Sequence, residues 1–203
     1  MISPGIVEAA ICLIRAAEEG RRVRDFPAGF RLVDMAMAEA VADLVAARQG
    51  GVLGGWKLGG TNPVAQERAG IERPFRGRVR ASMIYESPAE VPWPDLLRAV
   101  VEPEIAFRLG GDLPPCGRDY GIDSVRQAVE AVLPAIEIPE SRLSDDHVMG
   151  GLGMVADQGF AGRLVLGRAC RDWRRLDLGA LRATLAINGR PVEEFYPPPS
   201  TPK

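Results

Sequence analysis

The chain has 203 residues, of which 46% are hydrophobic and 26% charged, so its composition is that of one globular domain rather than of a disordered chain. Its 25 basic and 27 acidic residues give a net charge of −2, which excludes the basic excess that nucleic-acid binding requires. The 23 glycines and 17 prolines make up about a fifth of the residues, which excludes a plain helical bundle because such a chain turns often.

Two helices are predicted in the first 50 residues. Ser3 can cap the first helix with Pro4 at its first position, and apolar residues recur at helical spacing until Gly20. A second apolar stripe predicts a helix over 32–47, which the two glycines at 50 and 51 end. We therefore expect residues 1–50 to be the helical part of a single domain over 1–195.

Residues 51–195 are expected to form the strand-rich part of this domain. A glycine-containing apolar segment predicts a strand over 52–58, and a short helix is predicted over 64–69. The arginine- and glycine-rich segment 73–80 is interpreted as a loop. The clear alternation of apolar and polar residues over 100–109 predicts a further strand.

The remaining elements complete an α+β fold, with helices first and a strand-rich body after them. Asn188-Gly189 is a strong signal for a two-residue hairpin turn. Residues 196–203 are rich in proline and are expected to be a disordered tail. The predicted elements are a helix over 122–132, strands over 133–138 and 164–166, and hairpin strands over 181–187 and 191–195.

The cysteines and the apolar segments indicate the compartment. Cys12, Cys116 and Cys170 are odd in number, widely spaced and never in a C-x-x-C pair, which argues for a reducing compartment and against a disulfide framework or a zinc site. Glu8 and Arg15 interrupt the first apolar run, so no signal peptide is predicted. No stretch approaches the roughly 18 apolar residues of a membrane span. We expect a soluble cytoplasmic protein that does not bind a membrane or nucleic acid.

Two glutamates point to one face of the strand predicted over 100–109. A period of two places Glu102 and Glu104 opposite the apolar side chains, roughly 7 Å apart at the usual rise of about 3.3 Å per residue. Such like charges repel each other unless a cation lies between them. Pro103 lacks a ladder donor, which predicts an edge strand or a bulge. The alternative is a solvated face on which Arg108 pairs with one of the acids.

A third carboxylate favours a metal site over a solvated face. Glu137 lies in the otherwise apolar segment 133–138, where a carboxylate is costly unless it is paired or bound to a metal. Glu102, Glu104 and Glu137, with no histidine or cysteine nearby, would make an oxygen site. Such a site suits Mg²⁺ or Mn²⁺ and does not suit zinc.

Lys57 is the candidate cation for this site. It is one of two lysines beside 23 arginines, and the glycines around it allow close approach of a ligand. Its ammonium could hold a carboxylate or enolate oxygen, or transfer a proton. The alternative is a lysine that faces solvent. His147, the single histidine, is interpreted as a surface residue in a polar loop, and no serine or cysteine triad is evident around it.

Five motifs in the same order resemble the 2-keto-4-pentenoate hydratase / 4-oxalocrotonate decarboxylase family, within the fumarylacetoacetate hydrolase superfamily. The motif around Lys57 resembles the family's G-[YW]-K-[VL]-G-x-T segment, and the Glu102 strand resembles its E-x-E-I-A-F strand. The five are GWKLGGTN at 55–62, PFRGRV at 74–79, VEPEIAF at 101–107, LPAIEI at 133–138, and VAD at 155–157 followed by VLG at 165–167.

The resemblance implies a mixed β-sheet roll of the fumarylacetoacetate hydrolase type. It implies that Glu102, Glu104 and Glu137 hold a divalent metal, Mg²⁺ or Mn²⁺, and that a 2-oxo acid chelates this metal beside Lys57. Asp157 would orient the metal's water. The implied activity is a lyase that adds water to a 2-hydroxy-2,4-dienoate to give a 4-hydroxy-2-oxo acid in aromatic catabolism. Decarboxylation of a 2-oxo acid, through the same dienolate, is the alternative.

The chain departs from the family in two places. Residues 156–162 read ADQGFAG where the family has A-D-N-A-S-S-G, so both serines are absent and Phe160 is bulky. The family also continues through a helix and further strands after the hairpin, which we expect this chain to lack as a C-terminally truncated member. Unpaired strand edges would favour a homo-oligomer. A truncated, non-catalytic relative that acts as a partner subunit is therefore a further alternative.

Overall fold

The computed structural model describes residues 2–27, 29–92, 100–145 and 147–195. Five helices and eight strands are found in these ranges. The helices are α1 (Pro4–Glu18), α2 (Met35–Gln49), α3 (Pro63–Ala69), α4 (Ile122–Ala128) and α5 (Gly150–Ala156). The strands are β1 (Leu53–Gly59), β2 (Phe75–Arg80), β3 (Ile84–Glu86), β4 (Glu102–Leu109), β5 (Val129–Ile138), β6 (Arg163–Leu166), β7 (Ala183–Ile187) and β8 (Arg190–Phe195).

The strands form three sheets, so the predicted α+β class is confirmed. Strands β1 and β2 pair antiparallel, and β7 and β8 form the predicted hairpin. The other four strands lie in the order β3-β6-β5-β4. Strand β4 is thus an edge strand of this sheet, as Pro103 predicts, because an edge tolerates a residue without a backbone donor.

The described residues divide into two compact units. The first unit takes the described residues within Met1–Glu102 and Glu137–Val165, and the second takes those within Pro103–Ile136 and Leu166–Lys203. The expectation of a single domain over 1–195 stays a prediction, and the predicted tail 196–203 lies outside the described residues.

Helices α1, α2 and α5 supply the hydrophobic core of the first unit. Each buries one apolar face, and burial of a leucine or valine side chain contributes about 1.5–3 kcal/mol. Asp34 caps α2 by accepting a hydrogen bond from the Met37 backbone N–H at 2.7 Å. The fully buried apolar side chains of this core include Leu13, Val41, Val45, Leu143 and Val155.

The second unit has a smaller core around Trp173. Trp173 packs with Val129 and Val132 of β5, and Val132 pairs with Cys170 in an isolated bridge. Asn188 and Gly189 both have positive φ, which is the backbone of the predicted hairpin turn. Cys12, Cys116 and Cys170 are free thiols. No helix in the described ranges is long and apolar enough to cross a membrane.

Two sequence predictions are wrong. The segment interpreted as a loop over 73–80 contains β2, in which Phe75 and Val79 are buried and the arginines between them point outward. The helix predicted over 122–132 ends at Ala128, and β5 begins at Val129. Val129 and Val132, which the predicted helix included, lie in β5 instead, because β-branched residues pack well on a sheet.

Helix α5 was not predicted. Its sequence, GGLGMVA, contains three glycines, which have low helix propensity, so no local pattern indicates it. It packs against α2, and Val155 and Ala156 are fully buried there. Tertiary packing rather than local preference therefore explains this helix.

Candidate metal centre

Lys57 reaches Glu137 across the first unit. Strand β1 carries Lys57 opposite Gly77 of β2, and its Nζ lies 3.0 Å from Oε2 of Glu137 in β5. The side chains of Lys57 and Glu137 are 14% and 7% exposed. The alternative of a lysine that faces solvent is therefore wrong: its charge is largely removed from water and paired.

Gly77 allows strand β2 to approach the turn at 157–160 closely. A Cβ atom at residue 77 would lie 1.8 Å from the backbone oxygen of Gln158, so any larger residue would push β2 away from the 157–160 turn. A Cβ atom at Gly55, which pairs with Val79 on the facing strand, would meet no atom within 4 Å. The close approach of β2 to this turn thus depends on the absence of a side chain at residue 77.

Glu137 has one carboxylate oxygen without a hydrogen bond. Oε2 accepts from Lys57, whereas the buried Oε1 has no hydrogen-bond partner among the described residues. Burial raises the pKa of Glu137 above its ordinary value, Lys57 opposes this rise, and the nearby Glu102 adds to it. A buried charged oxygen without a partner is costly, so Oε1 is a position where a bound cation would restore a lost interaction.

Two further carboxylates come from the edge strand β4. Glu102 and Glu137 offer carboxylate oxygens within 4.8 Å of each other. Glu104 follows Glu102 by two positions on the same strand and offers an oxygen within 4.8 Å of that of Glu102. This donor set contains only oxygen, which fits Mg²⁺ or Mn²⁺. The orphaned Oε1 and the donor set therefore both fit a hard divalent cation.

Asp157 is held by Arg142. Its carboxylate is fully buried and accepts hydrogen bonds from the backbone N–H of Arg142 at 2.7 Å and from Nε of the same residue. Nη2 of Arg142 also donates to the Asp157 carbonyl at 2.8 Å. Burial raises the pKa of Asp157 to about 6, and the Arg142 guanidinium limits the rise. The role expected for Asp157, orienting a metal-bound water, stays a prediction.

Sequence reasoning missed Arg142 and Gln158. Gln158 has φ of 59°, in the left-handed region, and its side chain accepts from the Arg78 backbone N–H at 3.1 Å and donates to the Ala42 carbonyl. Phe160 packs partly buried against the core of the first unit. His147 is half-buried, and its Nδ1 has no hydrogen-bond partner in the described part of the chain. No local motif indicates the Arg142–Asp157 pair.

Comparison with curated proteins gives relatives of one kind. A 2-keto-4-pentenoate hydratase of Paraburkholderia xenovorans (strain LB400) is 31% identical over 188 residues, which cover 91% of this chain and 69% of that protein. A 2-hydroxyhexa-2,4-dienoate hydratase of Comamonas testosteroni is 34% identical over 140 residues, which cover 68% of this chain and 52% of that protein. No protein-family model matches the chain.

Comparison with solved structures supports the fold. The 4-oxalocrotonate decarboxylase from Pseudomonas putida G7, complexed with magnesium and adipate, superposes with a TM-score of 0.81 at 22% identity. The match covers 93% of this chain and 72% of that one. The described elements thus have the fold of that enzyme.

Proposed function

The chain belongs to the family of 2-keto-4-pentenoate hydratases, and from this premise we propose that it is a lyase that adds water to a 2-hydroxy-2,4-dienoate to give a 4-hydroxy-2-oxo acid. The observation that carries this proposal is the buried Glu137, with Lys57 on one oxygen and no described partner on the other. Such a pair can hold a cation and an anionic oxygen side by side.

Glu102, Glu104 and Glu137 are the proposed ligands of a divalent cation, Mg²⁺ or Mn²⁺. Their support is the all-oxygen donor set and the Glu137 oxygen that lacks a hydrogen bond. When bound, the cation supplies Lewis-acid stabilisation of negative charge on a substrate oxygen.

Lys57 is proposed to stabilise the oxygen on C2 of the substrate. Loss of the enol proton builds negative charge on that oxygen, and protonation at C5 then gives the 2-oxo-3-enoate. Attack of water at C4 of this enone returns the negative charge to the oxygen until a proton adds at C3. An ammonium that is already paired and shielded from water can donate a hydrogen bond to the oxygen with little reorganisation. Glu137 fixes the position of the ammonium through the 3.0 Å contact. Lys57 thus lowers the energy of both charged steps.

Asp157 is proposed as a positioning residue. Its carboxylate and Arg142 together fix the 157–160 turn, whose Gln158 carbonyl lies against Gly77. Gly77 faces Lys57 across the β1–β2 ladder. A shift of this turn would therefore move the strand pair that carries Lys57.

Decarboxylation of a 2-oxo acid is the second candidate. Loss of carbon dioxide leaves the same charged C2 oxygen, so Lys57 beside Glu137 would serve it equally well. Ala161 and Phe160 stand where the family has serines, which favours a substrate or water position different from that of the family. A non-catalytic subunit remains an outcome of the test below.

We also propose that the chain forms a homo-oligomer and is located in the cytoplasm. Ile105, Phe107 and Leu109 of β4 are 40%, 53% and 49% exposed, and a contiguous apolar stripe on an edge strand favours pairing with another copy. The three free thiols are compatible with a reducing compartment.

Turnover of 2-hydroxypenta-2,4-dienoate by the purified chain tests the proposed activity. With Mg²⁺ or Mn²⁺ we expect 4-hydroxy-2-oxopentanoate by NMR and no activity after chelation. Glu137→Gln should abolish turnover, whereas the matched control Glu67→Gln, exposed on α3, should not change it. Carbon dioxide from a dicarboxylic 2-oxo acid would indicate the decarboxylase instead. No turnover of either substrate by folded, metal-loaded protein would identify a non-catalytic relative.

A further inference from the structure

A cavity in the first unit has four arginines in its lining. Its volume is about 170 Å³, well above the roughly 10–15 Å³ that one water molecule needs. The charged and amide side chains that line it are Arg78, Arg80, Arg142, Arg163, Glu140 and Gln158. Lys57, Glu102 and Glu137 are not among the described lining residues. The cavity is thus lined by residues other than Lys57 and these two proposed metal ligands.

The acids near this cavity do not neutralise it. Asp157 pairs with Arg142, and Glu140 accepts from Nη1 of Arg163 at 3.0 Å. Arg78 has only a long contact of 3.7 Å with the exposed Asp43. Within the described ranges Arg80 forms no ion pair. Arg78 and Arg80 therefore leave an excess of positive charge at a concave surface.

Arg163 is a buried lining residue that has an unsatisfied hydrogen-bond donor. It is only 5% exposed, and its buried Nε has no hydrogen-bond partner in the parts of the chain that the structure describes. Glu140 satisfies one edge of the guanidinium and leaves this donor open. A buried donor without an acceptor costs about 1–3 kcal/mol, more for a charged group. Because Nε has almost no accessible surface, an oxyanion in the cavity would recover part of that cost only after the Arg163 side chain turned toward it.

We propose that this cavity binds a small, doubly charged oxyanion, a phosphate or a short dicarboxylate. The forked guanidinium groups of arginine match both kinds of oxyanion with paired, charge-assisted hydrogen bonds. Gln158 is at the cavity and also accepts from the Arg78 backbone, so the bound anion would contact the turn next to Asp157. The site shares Arg142 and the turn at 157–161 with the proposed positioning machinery, but Arg78, Arg80 and Arg163 are not among the proposed metal or substrate ligands.

Calorimetric titration of the whole chain with inorganic phosphate and with succinate tests the proposal. We expect saturable binding of at least one probe and none of neutral succinamide. Arg80→Gln, at a half-buried residue without an ion pair, should weaken binding by about tenfold or more. The matched control Arg68→Gln, exposed on α3, should change it less than twofold, which is about the effect of a distant surface charge.

The two probes distinguish a phosphate ligand from a dicarboxylate ligand, and a variant at the metal centre distinguishes this cavity from the metal site. Binding of phosphate alone identifies a phosphate ligand, and binding of succinate alone identifies a dicarboxylate; either result supports the site. Glu102→Gln should keep the wild-type affinity. Three results would overturn the proposal. The first is no binding of either probe at millimolar concentration, and the second is an equal effect of Arg80→Gln and Arg68→Gln on binding. The third is binding that is lost in Glu102→Gln but kept in Arg80→Gln.

Discussion

Glu137 is a buried carboxylate of the first unit whose two oxygens are in different hydrogen-bonding states. It is 6% exposed, accepts from Lys57 with one oxygen, and leaves the other without a described partner. A carboxylate used only for stability would be expected to have both oxygens satisfied. The incomplete bonding is therefore the residue-scale reason to assign Glu137 to binding rather than to folding.

Replacement of Lys57 separates its role in catalysis from metal binding. For Lys57→Met we expect kcat/KM to fall by at least about 100-fold, because the C2 oxyanion loses its hydrogen-bond donor. The Lys57 charge also lowers the pKa of Glu137, so its loss should raise that pKa further. The pH below which the metal dissociates should then rise, while binding persists at alkaline pH. An unchanged kcat/KM in Lys57→Met would show that Lys57 does not stabilise the C2 oxyanion.

Asp157 gives a pH dependence of stability with a defined sign. Its pKa is raised to about 6 in the folded chain, from 3.8 for the ordinary group. A raised acid pKa means that the native state holds this proton more tightly than the unfolded state. Its contribution to the free energy of unfolding is thus present below about pH 4 and is lost as pH rises through 6.

Urea unfolding of the wild type and of Asp157→Asn at several pH values measures this contribution. The wild-type free energy of unfolding minus that of Asp157→Asn should fall by on the order of 2 kcal/mol between about pH 4 and pH 7. A difference that does not vary with pH would show that Asp157 titrates normally.

At the scale of elements, β1 and β2 form the strand pair that carries Lys57. Gly77→Ala would place a Cβ atom against the Gln158 carbonyl, whereas Gly55→Ala on the partner strand meets no atom within 4 Å. We expect Gly77→Ala to lower the unfolding free energy by about 1–3 kcal/mol and to reduce kcat, and Gly55→Ala to do neither. Equal effects in thermal unfolding and turnover assays would contradict this close approach.

Sequence patterns predicted some elements well and others poorly. Strand β4 was predicted because its apolar and polar residues alternate over 100–109, and the hairpin because Asn188-Gly189 fixes the turn. Strand β2 was missed because arginine and glycine usually indicate a loop. The buried positions of β2 are Phe75, Gly77 and Val79. The burial of this face of the strand depends on the turn at 157–160, which is distant in the sequence.

At the scale of the whole molecule, the important contacts join residues far apart in the chain. Lys57 and Glu137 are separated by 80 positions, and no local periodicity indicates their contact. Their placement in one site was predicted through the resemblance of ordered motifs to a known family. Arg80, Arg142 and Arg163 lie outside those motifs, so only the folded chain reveals their contacts with Asp157 and with the cavity.

Calorimetric titration with Mn²⁺ and Mg²⁺, at about pH 7.5 and near pH 5, tests whether the three glutamates bind a divalent cation. We predict binding to the wild type at the higher pH. Binding should weaken toward pH 5 because the carboxylate ligands must be deprotonated to bind the metal. The weakening should begin at a higher pH than for an ordinary glutamate, because burial raises the pKa of Glu137. Glu137→Gln should lose binding, and Glu67→Gln should keep it. No metal binding by the wild type at pH 7.5, or full metal binding by Glu137→Gln, would show that Glu137 is not a ligand of a divalent cation.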